Sequence, residues 1–242
     1  MTDYMTKEEV LRMLKAVDIV TNDTICLQVQ ASFVSKVLGG MQTIIESCME
    51  LLSQNRCMIV PTFTLNCLDP VITKQYPWED WKLIRKEMHG YKPSLSLSSP
   101  FANQFLKYEE VQRSKHPVYS FAYWGGYRKT CLDWMGDYPI SFEEGLMDKD
   151  VKSVLLGETC ENSYLLYAVA KQAGLGTTFL QRAKVQRVKT SVFKTFFQLS
   201  LNAEEKQKCL SLCQKKSYIW KDCTIYSLSL NKMDCLSLNK MD

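Results

Sequence analysis

The first apolar stripe of the chain starts at Val10: Val10, Leu11, Leu14 and Val17 recur at helical spacing behind Thr6-Lys7-Glu8-Glu9. Thr6 at the N-cap with Glu9 at the capping-box position predicts a helix start. Asp23-Thr24 then precedes Ile25-Cys26-Leu27-Gln28-Val29, a short apolar run that reads as a buried strand. A loop follows through Ser32, Ser35, Gly39 and Gly40. Ile44, Ile45, Cys48, Met49 and Leu52 then mark one face of a helix from about Met41 to Leu52. Met58-Ile59-Val60 reads as a second strand, stopped by Pro61.

Strand, loop, helix and strand in this order form a βαβ unit, which implies a parallel sheet covered by helices. The pattern returns later. Ser153-Val154-Leu155-Leu156 leads into Gly157 and a helix over Tyr164 to Gln172, ended by Gly174 and Gly176. The fold class is therefore α/β. With 242 residues, the expectation is one domain over 1–226. A tail over 227–242 contains the string LSLNKMD twice, at Leu228 to Asp234 and at Leu236 to Asp242. That interval fits no solenoid repeat and reads as a tandem duplication.

Composition adds limits. Hydrophobic residues make up 46% of the chain and charged residues 23%, which suits a globular core. No apolar run reaches the roughly 18 residues of a membrane span, and the polar start, Met1 to Lys7, lacks a secretory h-region. A cytoplasmic chain with no membrane partner is the expectation. The ten cysteines contain no CxxC pair, so they read as reduced, mostly buried thiols, with no metal site.

Charge is uneven. Acids crowd Asp133 to Glu161, and lysines and arginines crowd Arg182 to Lys221. In the basic third, Phe193, Phe196, Phe197, Tyr218 and Trp220 interleave with lysines. Base stacking on a nucleic acid is one reading of that pattern. The core face of an amphipathic helix is the simpler one, and no nucleic-acid partner is expected.

The middle of the chain carries more specific strings. In order stand Pro61-Thr62-Phe63-Thr64, Tyr91-Lys92-Pro93-Ser94, Arg113-Ser114-Lys115-His116-Pro117, Ser120-Phe121-Ala122-Tyr123-Trp124-Gly125 and Val154-Leu155-Leu156-Gly157. This series resembles the aminoglycoside N3-acetyltransferase family, with its PTFT-like strand end, its R-S-x-H-P-x-x-S-x-A-x-G stretch and its V-L-L-L-G strand. The resemblance implies a three-layer α/β/α domain with a mixed, largely parallel central sheet. It also implies a transferase (an acyltransferase) that moves acetyl from acetyl-CoA to an amino group of an aminoglycoside or other amine, a chemistry of antibiotic resistance. A monomer or a homodimer fits it. By resemblance, Ser32, Ser35, Gly39, Gly40, Arg113 and Ser114 would bind the coenzyme, and Asp133, Asp137 and Glu161 the cationic substrate.

The chain departs from the family at the base. The family pattern T-x-x-H-x-x-E on the helix after the VLLLG strand places a histidine and a glutamate on one helical face. Here Tyr164, Tyr167 and Ala170 occupy those three positions. The only histidines are His89 and His116, and neither lies on that helix. Tyr167 and His116 are thus the candidate catalytic residues. Tyr167 needs a lowered pKa to act as a base. His116 reads either as a substrate contact or as a loop histidine bonded to the backbone. Two functions stand: an acetyltransferase with an altered base, or an inactive relative that binds CoA or a cationic ligand.

Overall fold

A computed structural model describes residues 3–70, 76–126 and 151–230. Helix α1 spans Lys7–Ala16, and its start is the predicted capping box: Thr6 Oγ1 accepts from Glu9 N–H, and the Glu9 carboxylate accepts from Thr6 N–H. Strand β1 (Thr24–Val29) leads into a single helical turn, α2 (Ala31–Val34), where the sequence reads as loop. Helix α3 (Gly40–Leu51) begins after Gly39, whose φ of 79° is a left-handed conformation that suits glycine. Strand β2 (Cys57–Pro61) ends at the predicted proline.

Two short helices, α4 (Trp81–Glu87) and α5 (Pro100–Phe105), precede β3 (Gln112–Arg113) and β4 (Phe121–Gly125). Strand β5 (Val151–Leu156) and helix α6 (Leu165–Gln172) match the second predicted strand–helix pair. Then come β6 (Thr177–Gln186), β7 (Ser191–Ser200), α7 (Ala203–Ser211), β8 (Cys213–Trp220) and β9 (Cys223–Leu230).

Seven strands form one sheet in the order β3-β4-β2-β1-β5-β9-β8. The three central strands are parallel, β1 pairing with β2 on one side and β5 on the other. The flanks are antiparallel: β4 on β2, and the β8–β9 hairpin on β5. Alternation along the central strands sorts the core into two layers. Ile25, Leu27, Met58, Val60, Val154 and Leu156 face α1, α3 and α5. Cys26, Cys57, Ile59 and Leu155 face α6 and Cys209 of α7. The architecture is the expected α/β/α sandwich. Residues 227–230, where the repeated segment begins, are the end of β9, and Leu228 is fully buried.

The basic third corrects a sequence expectation. It folds as two antiparallel hairpins with α7 between them, and the aromatics lie on strands. The ten-residue strands β6 and β7 have a period of two: Gln181 and Ala183 are buried opposite Phe196 and Lys194. The sequence hides that alternation because buried positions are themselves polar, Gln181 and Gln198 among them, and Lys184 is buried as well. Single bridges from Leu68 to Ala183 and from Tyr91 to Val185 dock this hairpin over the carboxyl ends of the sheet. Beneath it, Leu68, Val118, Tyr119, Ala183 and Phe196 make a small core of their own. Asp69, fully buried, accepts hydrogen bonds from Arg85 and Arg182 and so ties α4 to the hairpin.

Of eight cysteines among the described residues, seven are buried and Cys213 is partly so. No helix among the described residues is long and apolar enough to cross a membrane.

Candidate active site

Strand β1 is the point where the topology reverses, since β2 lies on one side of it and β5 on the other. In open α/β sheets the crevice outside the carboxyl ends of such strands is where ligands bind. A cavity of about 450 Å³ occupies that place, walled by Gln28 and Val29 of β1, Val60 and Pro61 of β2, Phe63 and Glu158.

Two further cavities adjoin it. One, of about 600 Å³, shares Asn66 and Leu97 with the crevice and has Lys86, His89, Lys92 and Lys184 on its walls, with Glu87 the sole acid there among the described residues. The Lys184 ammonium is saturated by three carbonyls at the end of α4, those of Arg85, Lys86 and Met88. The other, of about 270 Å³, shares Gln28, Glu158 and Tyr164 with the crevice and adds Glu161, Asn162, Tyr167 and Lys206. A basic chamber, a largely apolar crevice and an acidic recess thus stand in a row.

The turn after β5 shapes the acidic end. Gly157, at φ 73°, is left-handed, and a Cβ there would stand 3.0 Å from Phe33 Cβ. Glu158 follows immediately. Its Oε1 accepts from Thr159 N–H at 3.0 Å and from Asn162 Nδ2 at 2.8 Å, and its Oε2 accepts from Gln30 Nε2. Gln28 locks the same turn to β1, its Nε2 donating to Asn162 O and its Oε1 accepting from Tyr164 N–H, both at 2.9 Å.

Tyr167 is half-buried on the first turn of α6 and lines the recess. Burial pushes its phenol above the ordinary value, and burial first, then Cys26 and nearby acidic groups, pushes Tyr164 up to about 12. Both phenols therefore keep their protons at neutral pH and donate. Ala170 faces the core with 0% exposure, so that position offers no carboxylate to Tyr167. Glu161 is exposed on the recess wall; its own backbone N–H is the main cause of its lowered pKa.

His116 sits apart, inside the turn between β3 and β4. Its Nδ1 accepts from Val118 N–H at 3.1 Å and Tyr119 N–H at 2.9 Å, and Phe196 packs edge-on at 4.6 Å. Burial, helped by Lys194, pushes its pKa down to about 3. A ring so held is a poor proton acceptor at neutral pH. Arg113 donates to Ser120 Oγ at 2.9 Å, Ser96 O at 2.8 Å and Thr62 O at 2.7 Å. Ser114 exchanges hydrogen bonds with the Phe121 backbone. These three residues brace one turn and wall none of the three cavities.

Ser32, Ser35, Gly39 and Gly40 lie on α2 and the approach to α3, also off the cavity walls, with Ser35 Oγ donating to Ser32 O at 2.9 Å. Asp133 and Asp137 fall outside the described residues. The geometry adds Gln28, Asn66, Lys86, Lys92 and Glu158, which the sequence did not mark as site residues, and brings Tyr164, noted there only for its place in the family pattern, onto two cavity walls. Position was the usable signal: Gln28 and Glu158 stand at the carboxyl ends of parallel strands.

The sequence profile of the aminoglycoside 3-N-acetyltransferase family matches residues 28–223. A curated relative, the SPbeta prophage-derived aminoglycoside N(3')-acetyltransferase-like protein YokD of Bacillus subtilis (strain 168), is 27% identical over 149 residues. That alignment takes in 58% of this chain and 53% of the relative, so it spans about half the relative's length. The crystal structure of the Bacillus subtilis YokD protein superposes with a TM-score of 0.79 at 20% identity, covering 98% of this chain and 92% of that one. AAC-IIIb in a binary complex with CoASH gives 0.72 at 14% identity, with 98% and 96% covered. Sisomicin-bound AAC-VIa gives 0.73 at 14%, with 97% and 96% covered.

Proposed function

This chain belongs to the aminoglycoside 3-N-acetyltransferase family, and on that premise we propose that it transfers acetyl from acetyl-CoA to a primary amine of a small polycation of the aminoglycoside class, in the cytoplasm. The observation that carries the reading is the row of three cavities. Lys86 and Lys92 in the basic chamber suit the phosphates of the coenzyme. The apolar crevice suits the pantetheine arm and thioester. Glu158 and Glu161 suit an ammonium in the recess. One solved relative carries CoASH and another sisomicin, which supports ligands of these two chemical classes.

The amine nitrogen attacks the thioester carbonyl as a neutral group, so an arriving ammonium loses one proton first. The C–N bond forms while the carbonyl π pair moves onto oxygen. Tyr164 and Tyr167, both held protonated, are the donors available to that oxyanion. Collapse of the adduct breaks the C–S bond and releases CoA.

The test is release of free thiol from acetyl-CoA by the purified protein with sisomicin, gentamicin and simple diamines, from about pH 6 to about pH 9. Amine-dependent thiol release, rising with pH as the acceptor loses its proton, is expected. Acetyl-CoA binding with no amine-dependent release at any pH would overturn the reading.

A further inference from the structure

Resting on that acetyl-transfer reading, we infer that Glu158 is the proton acceptor of the reaction, a place filled by a carboxylate at the strand end instead of by a side chain of α6. Three residues belong to the walls of both the crevice and the recess, Gln28, Glu158 and Tyr164. A nitrogen in the recess that reaches a thioester in the crevice must cross the boundary these three form. Both ends of the Gln28 amide are spent on Asn162 and Tyr164, and an amide takes up no proton at neutral pH. Among the described residues, Glu158 is the only carboxylate on that boundary.

The turn also holds it in place. Of the roughly four acceptor positions of a carboxylate, three are occupied by Thr159 N–H, Asn162 Nδ2 and Gln30 Nε2. These bonds fix both oxygens from three sides and leave one position open. A carboxylate so fixed costs little reorganisation when positive charge grows on the nitrogen.

The step balances. When the C–N bond forms, the nitrogen carries a positive charge and becomes far more acidic than the free ammonium. A proton passes from nitrogen to Glu158 as the oxyanion reforms the carbonyl and the C–S pair leaves as CoA thiolate. The proton on Glu158 then goes to the thiolate or to water, restoring the carboxylate. The charged and titratable groups facing Glu158 around the recess are Glu161, Tyr164, Tyr167 and Lys206.

The experiment compares the intact protein with Glu158→Gln and Glu158→Ala, each first checked by thermal unfolding. Glu158→Gln keeps a side chain of the same size, and thiol release should fall about 100-fold at saturating acetyl-CoA. The lost rate should return in Glu158→Ala on adding formate, and should not return in Tyr167→Phe. Recovery by a small carboxylate is a response that a merely structural role would not give. Activity of Glu158→Gln within about twofold of the intact protein, or no formate rescue in a folded Glu158→Ala, overturns this inference and leaves acetyl transfer standing. Absence of turnover by the intact protein overturns both.

Discussion

Two segments of this chain invert their apparent importance. The stretch from Arg113 to Gly125 carries the most specific family string, including a buried histidine and a half-buried arginine. Every polar group of it discussed above is turned inward, on Thr62, Ser96, Ser120, Val118, Tyr119 or Phe121. The stretch from Gly157 to Tyr167 departs from the family pattern at its helix, yet it supplies Glu158, Glu161, Asn162, Tyr164 and Tyr167 to the cavity walls. A distinctive string thus marks a demanding turn, and chemistry sits where side chains remain open to a ligand.

The contrast breaks first, and most heavily, at Arg113. Its removal takes the donor from the half-buried Ser96 carbonyl and one of two donors from the buried Thr62 carbonyl, which keeps Ser120 Oγ, so Arg113→Ala should cost about 2 kcal/mol in denaturant unfolding. A drop in acetyl-CoA affinity at unchanged stability would instead make Arg113 a ligand contact. His116 comes next, and pH reads it. The folded ring stays neutral down to about pH 3, whereas an unfolded histidine protonates near 6.5. Between those values the unfolded state binds the extra proton. The stability contributed by His116 is therefore complete above about pH 6.5 and is lost as pH falls toward 3. Urea midpoints at neutral and mildly acid pH should diverge for the intact protein and diverge less for His116→Asn, whose side chain keeps an acceptor near Nδ1.

Smaller effects sharpen the other half. Tyr167→Phe should lower kcat about tenfold with the pH profile of thiol release unchanged, as expected of a hydrogen-bond donor. Loss of a titrating limb in that profile would make Tyr167 a base. Glu161→Gln should raise KM for a polyamine about twofold to threefold, because an exposed carboxylate attracts a cation weakly. Added salt should shrink even that difference; a salt-independent change would place Glu161 in direct contact with substrate.

Much of the scaffold was legible along the chain. The Thr6–Glu9 capping box, the short apolar run from Ile25 to Val29, the stop at Pro61 and the helix after Gly157 are local patterns, each set by neighbours within a few positions. The hairpin of β6 and β7 was not legible, because its buried positions include Gln181, Lys184 and Gln198, so polarity along the chain does not follow the period of two. The site was less legible still. Its defining bonds join residues far apart: Gln28 to Tyr164 across 136 positions, and Gln30 to Glu158 across 128.

From its sequence alone, then, this protein is determined as an α/β acetyltransferase relative that lacks the family's histidine–glutamate pair on α6. The α/β class follows from periodicity, and the rest from the resemblance of the ordered motif strings to that family. Tertiary structure alone decided that His116 and Arg113 are spent on a turn and that Glu158 stands at the boundary of two cavities. The reason is physical: a polar group is available to a ligand only if no partner within the protein has taken it, and those partners are brought together by the sheet.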